Sequence, residues 1–138
     1  MFTRAMRWTY AASAWSIFLA VIVQFFLAGL GVFADARTFQ IHAYVGYSLF
    51  FVMLIVLVAA LAARLPWRAI GLTALLPALV FLQSVLIQVG RNGLPVVAAL
   101  HPVNGLAIFS LAGFLALQSR SYVAARKPDR VKTGVPAQ

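Results

Sequence analysis

Charged residues fall at a few places along this chain, and long uncharged apolar runs separate them. Met1 to Trp8 forms a short basic head with Arg4 and Arg7, and the first apolar run follows from about Thr9 to Phe33. As a helix rising 1.5 Å per residue, that run is roughly 37 Å long, enough to span a bilayer with some tilt. Asp35, Ala36 and Arg37 make a polar turn. A second helix is predicted from about Phe39 to Ala63, ended by Arg64, Pro66 and Arg68, with Trp67 at an interfacial position. A third runs from about Ile70 to Val89, with Pro77 inside it leaving the Thr73 carbonyl without a helical donor. Gly90-Arg91-Asn92-Gly93 reads as a turn. The fourth helix starts between Pro95 and His101, since either Pro95 or Pro102 suits a first turn, and ends near Gln118. Residues 119–138 form a basic tail containing Pro128 and Pro136, with few large apolar side chains, and are expected to be mobile.

This pattern predicts an all-α fold, a transmembrane four-helix bundle in one domain (residues 9–118) between a basic head and a basic tail. Composition agrees: 64% of residues are hydrophobic and 9% charged, whereas a soluble domain is about half apolar and a quarter charged. The first apolar run lacks a convincing cleavage site and is read as a retained helix. The net charge of +9 is accounted for by topology. Arg4, Arg7, Arg64, Arg68, Arg120, Arg126, Lys127, Arg130 and Lys132 lie on one side, and Arg37 and Arg91 on the other. The positive-inside rule then places both termini in the cytoplasm of a cell with the chain in its inner (plasma) membrane, both short turns outside, and no nucleic-acid partner is called for. The lipid bilayer is the expected partner, with the basic tail near anionic headgroups.

The chain also repeats. An offset of 59 positions superimposes Val21 on Val80, Gln24 on Gln83, Leu27 on Leu86, Gly31 on Gly90, His42 on His101, Gly46 on Gly105 and Phe50 on Phe109 without a gap. His42 and His101 are the only histidines, and each has a glycine one helical turn later on the same face. The bundle is therefore predicted to consist of two parallel two-helix repeats, about residues 9–63 and 70–118, related by an axis along the membrane normal. The second and fourth helices then lie on one diagonal, with their histidines at equal depth.

Two imidazoles on such a diagonal can approach a planar metal macrocycle from both faces. The candidate ligands are His42 and His101. Gly46 and Gly105 make room for the ring, and Gly31 and Gly90 either do the same or let helices approach closely. Arg37 and Arg91 at the outer rim are candidates to neutralise haem propionates, or are solvated loop charges. The absence of cysteine excludes covalent haem attachment, so the cofactor expected is non-covalent haem b. Two other readings stand beside it: a pair of histidines hydrogen-bonded for structure alone, and an ion such as zinc, for which two histidines leave the shell short. Gln24 and Gln83 read as a bond tying the two halves together, or as donors near a haem edge or a quinone.

Leu82-Gln83, Gly90, Leu94-Pro95 and Leu100-His101 resemble the third and fourth helices of one half of the haem A synthases, over about Val21 to Leu117. The Gln-Phe-Phe-Leu-Ala-Gly-Leu-Gly run from Gln24 to Gly31 is similar to that of small uncharacterised four-helix membrane proteins of actinobacteria. The resemblance implies a four-helix fold with histidine-ligated haem. It departs from the synthases around the first histidine, where Thr38, Phe39, Gln40 and Ile41 precede and Ala43 follows, with none of the glutamate and arginine of that family. Expected functions are single-electron transfer by a cytochrome b near the outer membrane face, with quinol, superoxide or a respiratory complex as partner, a non-catalytic haem-binding subunit, or a synthase-like homodimer. No Asp, Glu, Lys or Arg lies within the helices, which argues against a proton-coupled transporter.

Overall fold

The computed structural model describes residues 1–124, which form helices α1 (Phe2–Phe33), α2 (Thr38–Ala62), α3 (Trp67–Arg91), the single turn α4 (Pro95–Ala98) and α5 (Leu100–Ala124). The described residues contain no strand. Four spans, with α4 and α5 together making the last, are long and apolar enough to cross a membrane. They carry exposed Leu19, Phe26, Phe51, Ile55, Phe81 and Leu106 on their outer surfaces. A water-soluble protein does not present contiguous apolar surface on this scale.

Several boundaries differ from the expected ones: α3 begins at Trp67 and runs through Gly90 and Arg91, and both ends of the bundle are longer than expected. The basic head is not a separate segment: Phe2 to Trp8 are the first turns of α1, because no Gly or Pro interrupts them and a formed helix propagates cheaply. The last helix continues past Gln118 to Ala124, so the expected tail begins no earlier than residue 125, and residues 125–138 lie outside the described residues. Both prolines of the fourth span are used. Pro95 opens α4, and Pro102 lies in the first turn of α5, where its missing N–H would have served the Ala98 carbonyl. The chain accordingly breaks at Ala99.

α2 ends in a hydrogen-bonded reversal. The Leu65 amide donates to the Ala60 carbonyl (3.2 Å) and the Arg64 amide to Leu61 (3.0 Å), the Schellman pattern. Arg64 takes the left-handed position that glycine usually fills (φ 53°), and Leu65 is buried beneath it.

α1 packs on α2 and α5, and α3 packs on the same two helices. α1 and α3 are thus one diagonal and α2 and α5 the other. The two hairpins are parallel, as the offset predicts. Packing is tightest at the end bearing the basic residues. Small side chains at Ala60, Ala63, Ala69, Ala112 and Ala116 are buried there and let the backbones approach. Across the α1–α3 diagonal, the hydroxyls of Tyr10 and Thr73 are 2.9 Å apart and buried. The Thr73 proton goes to the Ala69 carbonyl (2.7 Å), so the Tyr10 hydroxyl is the donor of this pair. The bundle is looser toward the opposite, turn-bearing end, where the histidines lie.

Candidate functional site

His42 stands one turn inside α2 and His101 is the second residue of α5. Each ring is fixed by a backbone carbonyl of the first helix of its own hairpin. His42 Nδ1 lies 3.1 Å from the Gln24 carbonyl, and His101 Nδ1 lies 3.4 Å from the Gln83 carbonyl. A carbonyl can only accept, so Nδ1 is the donor in both rings and Nε2 is the nitrogen left to act as a ligand. A hydrogen bond at one nitrogen that fixes the tautomer and aims the other is the usual support for a metal-ligating histidine. The ring centroids are 6.0 Å apart and the planes are inclined by 56°. With metal–nitrogen bonds of about 2.0 Å and a centroid about 1.1 Å beyond Nε2, trans imidazoles on one metal have centroids about 6.2 Å apart. A separation of 6.0 Å leaves room for a metal ion between the two rings. No third His, Cys, Asp or Glu joins them among the described residues, so the remaining ligands would have to come from a macrocycle.

Two adjoining cavities, of about 160 and 320 Å³, share His42, His101, Gly46, Gln83 and Ala28 in their walls. Together they are in the size range of small-molecule sites. The first reaches down the bundle axis to Val21, Leu49, Met53, Val80 and Ile108. The second extends between α2 and α3, past Tyr47, Ser84, Gln88 and Arg91.

Gly46 and Gly105 line the first cavity, and each also faces the glutamine amide of its own hairpin. A β-carbon on Gly46 would sit 3.0 Å from Gln24 Nε2, and one on Gly105 would sit 3.4 Å from Gln83 Nε2. The glutamines act within the hairpins rather than between the halves. Gln24 Nε2 donates to the His42 carbonyl (3.1 Å), while Gln83 Oε1 accepts from Asn104 Nδ2 (2.9 Å), which also donates to the Leu79 carbonyl (2.8 Å). Val45 occupies the place of Asn104 in the first repeat, and Gln24 Oε1 is buried there without a partner.

Three of the other candidates, Gly31, Gly90 and Arg37, lie apart from the histidines. Gly31 receives the ring of Phe39, 2.8 Å from where a β-carbon would be, and Gly90 receives Ala98. Phe39 and Ala98 are themselves related by the offset, so these glycines seat the start of α2 and the turn α4. They line neither cavity. Arg37 does not turn toward the site: its Nε lies 3.0 Å from Asp35 Oδ2 and its side chain is 89% exposed. The Arg37 backbone amide, and then its guanidinium, hold the Asp35 carboxyl below its ordinary range. Arg91 does line the second cavity.

The sequence-based reading passed over Asn104 as an actor, although a polar residue inside the membrane is a signal in itself. Phe25 is the other residue it left without a role. Phe25 walls the first cavity and lies edge-on to Phe109, with centroids 6.1 Å apart and planes at 88°. Both residues mark places where the two repeats differ, and such differences are readable once the offset is known.

Residues 24–90 match a family of unknown function (DUF6220). The matched stretch includes Gln24, His42, Gly46 and Gln83 and stops before His101. No curated protein and no solved structure matches the chain.

Proposed function

We propose that the chain is a membrane-embedded b-type haem protein, in which His42 and His101 would hold the haem iron, and that it passes single electrons near the outer face of the inner membrane. The observation that carries this reading is the pair of repeat-related imidazoles, each held at Nδ1 by a carbonyl of its own hairpin, with centroids 6.0 Å apart. Haem bound there would supply a one-electron iron(III)/iron(II) couple. The chain would hold it from both sides. The Gln24 and Gln83 carbonyls fix the orientation of the two imidazoles and restrict their rotation. Val21, Leu49, Met53, Val80 and Ile108 keep water from the inner edge of the pocket. Neither cavity wall contains a carboxylate and Arg91 is the one charge in them, so the imidazoles, burial and that cation would set the potential.

The distribution of basic residues supports cytoplasmic termini and a site near the outer face. The test is the absorbance spectrum of the purified protein, oxidised and reduced, with and without added haem. A low-spin b-type spectrum that disappears in both His42→Ala and His101→Ala is the expected result. Absence of haem binding in the wild-type protein, or an unchanged low-spin spectrum in either variant, would overturn the assignment. Reduction of the loaded protein by quinol or superoxide then distinguishes electron transfer from a purely structural haem.

A further inference from the structure

The two repeats depart from their common pattern on one side of the site. α2 meets α3 on one flank of the bundle and α5 meets α1 on the other, and the offset relates these two flanks. On the α1–α5 flank, Phe25 fills the space beside Gly105 and packs edge-on to Phe109, which also stacks on Phe18 (centroids 5.2 Å apart). The residue related to Phe25 on the other flank is Ser84. The residue related to Phe109 is Phe50, which packs on its neighbour Phe51 instead (5.4 Å). The larger cavity runs out through this α2–α3 flank, past Tyr47, Ser84, Gln88 and Arg91. Arg91 is the only charged residue lining either cavity, it makes no ion pair among the described residues, and its counterpart in the first repeat is Val32.

We infer that the cofactor pocket has a polar mouth between α2 and α3 at which Arg91 binds the carboxylates on one edge of a planar amphiphilic ligand, with Ser84 leaving the passage open and Phe25 closing the opposite flank. This inference rests on the haem reading and adds to it an orientation. The two propionates lie at the Arg91 mouth, and the apolar edge of the macrocycle abuts Phe25. A guanidinium recognises carboxylates with paired donors, which fixes direction as well as charge. Arg37, tied to Asp35 and outside both cavities, takes no part.

The test titrates purified wild-type, Arg91→Gln, Arg37→Gln, Ser84→Phe and Ser84→Ala proteins with haem and with haem dimethyl ester, whose carboxylates are blocked. Arg91→Gln is expected to weaken haem binding by about three- to tenfold while leaving the affinity for the ester unchanged, and Arg37→Gln to change neither. Ser84→Phe, which installs the residue of the closed flank, should slow or abolish uptake of both ligands, whereas Ser84→Ala should not. Phe25→Ser should open the second flank, adding hyperfine-shifted haem methyl resonances from haem seated with its propionates toward that flank to those the wild-type shows. Low-spin haem taken up at the wild-type rate by Ser84→Phe, or equal effects of Arg91→Gln on haem and ester, would overturn the mouth and leave the histidine ligation standing. Failure of the wild-type protein to bind either ligand would overturn both.

Discussion

His42 and His101 lie 59 positions apart in the chain, yet their imidazoles share one cavity wall with ring centroids 6.0 Å apart. Neither histidine touches the other's hairpin through Nδ1. Each is held by the helix that precedes it, at Gln24 or Gln83. The two halves of the site are thus built independently and meet at the axis.

His42→Ala and His101→Ala should each abolish six-coordinate haem, and added imidazole should restore a low-spin spectrum by filling the vacated space. Both variants should still insert and remain helical by circular dichroism, because insertion depends on the apolar runs. The His101→Ala protein has the milder structural loss, since its Nδ1 contact is the longer of the two (3.4 against 3.1 Å).

The glycines should differ in tolerance. A β-carbon at Gly46 presses on Gln24 Nε2 at 3.0 Å and disturbs the amide that serves the His42 carbonyl, while at Gly105 the nearest atom is at an ordinary 3.4 Å. Gly46→Ala should therefore lower haem occupancy and Gly105→Ala should not. A leucine at either position should fill the cavity and remove haem with expression preserved. Haem occupancy and thermal stability of the apo-protein, measured on the same variants, separate an effect on the pocket from an effect on the bundle.

Asn104→Val, which copies Val45 into the second repeat, removes the donor to Gln83 Oε1 and the Leu79 carbonyl. The expected loss is about 1 kcal/mol, the range for polar contacts between membrane helices. Val45→Asn should act in the opposite direction, by offering a donor to the unpartnered Gln24 Oε1. Unfolding in mixed micelles checks both, and equal destabilisation by the two changes would count against the hydrogen-bond assignment.

Thr73→Val should cost more than Tyr10→Phe. The first change strands the buried Tyr10 donor. The second removes that donor and leaves the Thr73 hydroxyl still bonded to Ala69. Leaving a buried donor unmade costs about 1–3 kcal/mol, against about 1 kcal/mol for a bond removed with its donor. The double variant should lie close to Tyr10→Phe alone, with helix unfolding as the readout.

Asp35 is the one acid among the described residues, and its contribution has a definite sign. Its carboxyl titrates below the ordinary 3.8 because the Arg37 amide and guanidinium bond the ionised form. Whatever it adds to stability is present above that ordinary value and is lost as pH falls through the lower folded value. The small difference in stability between wild-type and Asp35→Asn should therefore be constant from pH 5 to 8 and close below about pH 3. Haem affinity should be unaffected across the neutral range, since the Asp35–Arg37 pair lies outside both cavities.

The sequence by itself determined the four apolar spans and the two parallel hairpins. These follow from apolar run length, charge placement and a constant offset, which are local or translational properties that survive without knowledge of packing. Helix ends were less legible: nothing in Arg4, Arg7 or Arg120 stops a helix, and α1 and α5 run through them. Only the tertiary structure decided which neighbour each polar group takes. Gln24 and Gln83 are identical in the repeat yet bond differently, because Val45 stands where Asn104 does. Arg37 and Arg91 both flank turns, but Asp35 captures one and the other borders a cavity. Gly31 and Gly90 share the spacing of a cofactor face and instead seat Phe39 and Ala98. Such pairings depend on the rotation of each helix about its axis and on which bulky side chain reaches the gap first, and a rotation of one residue's arc exchanges a cavity wall for a lipid face.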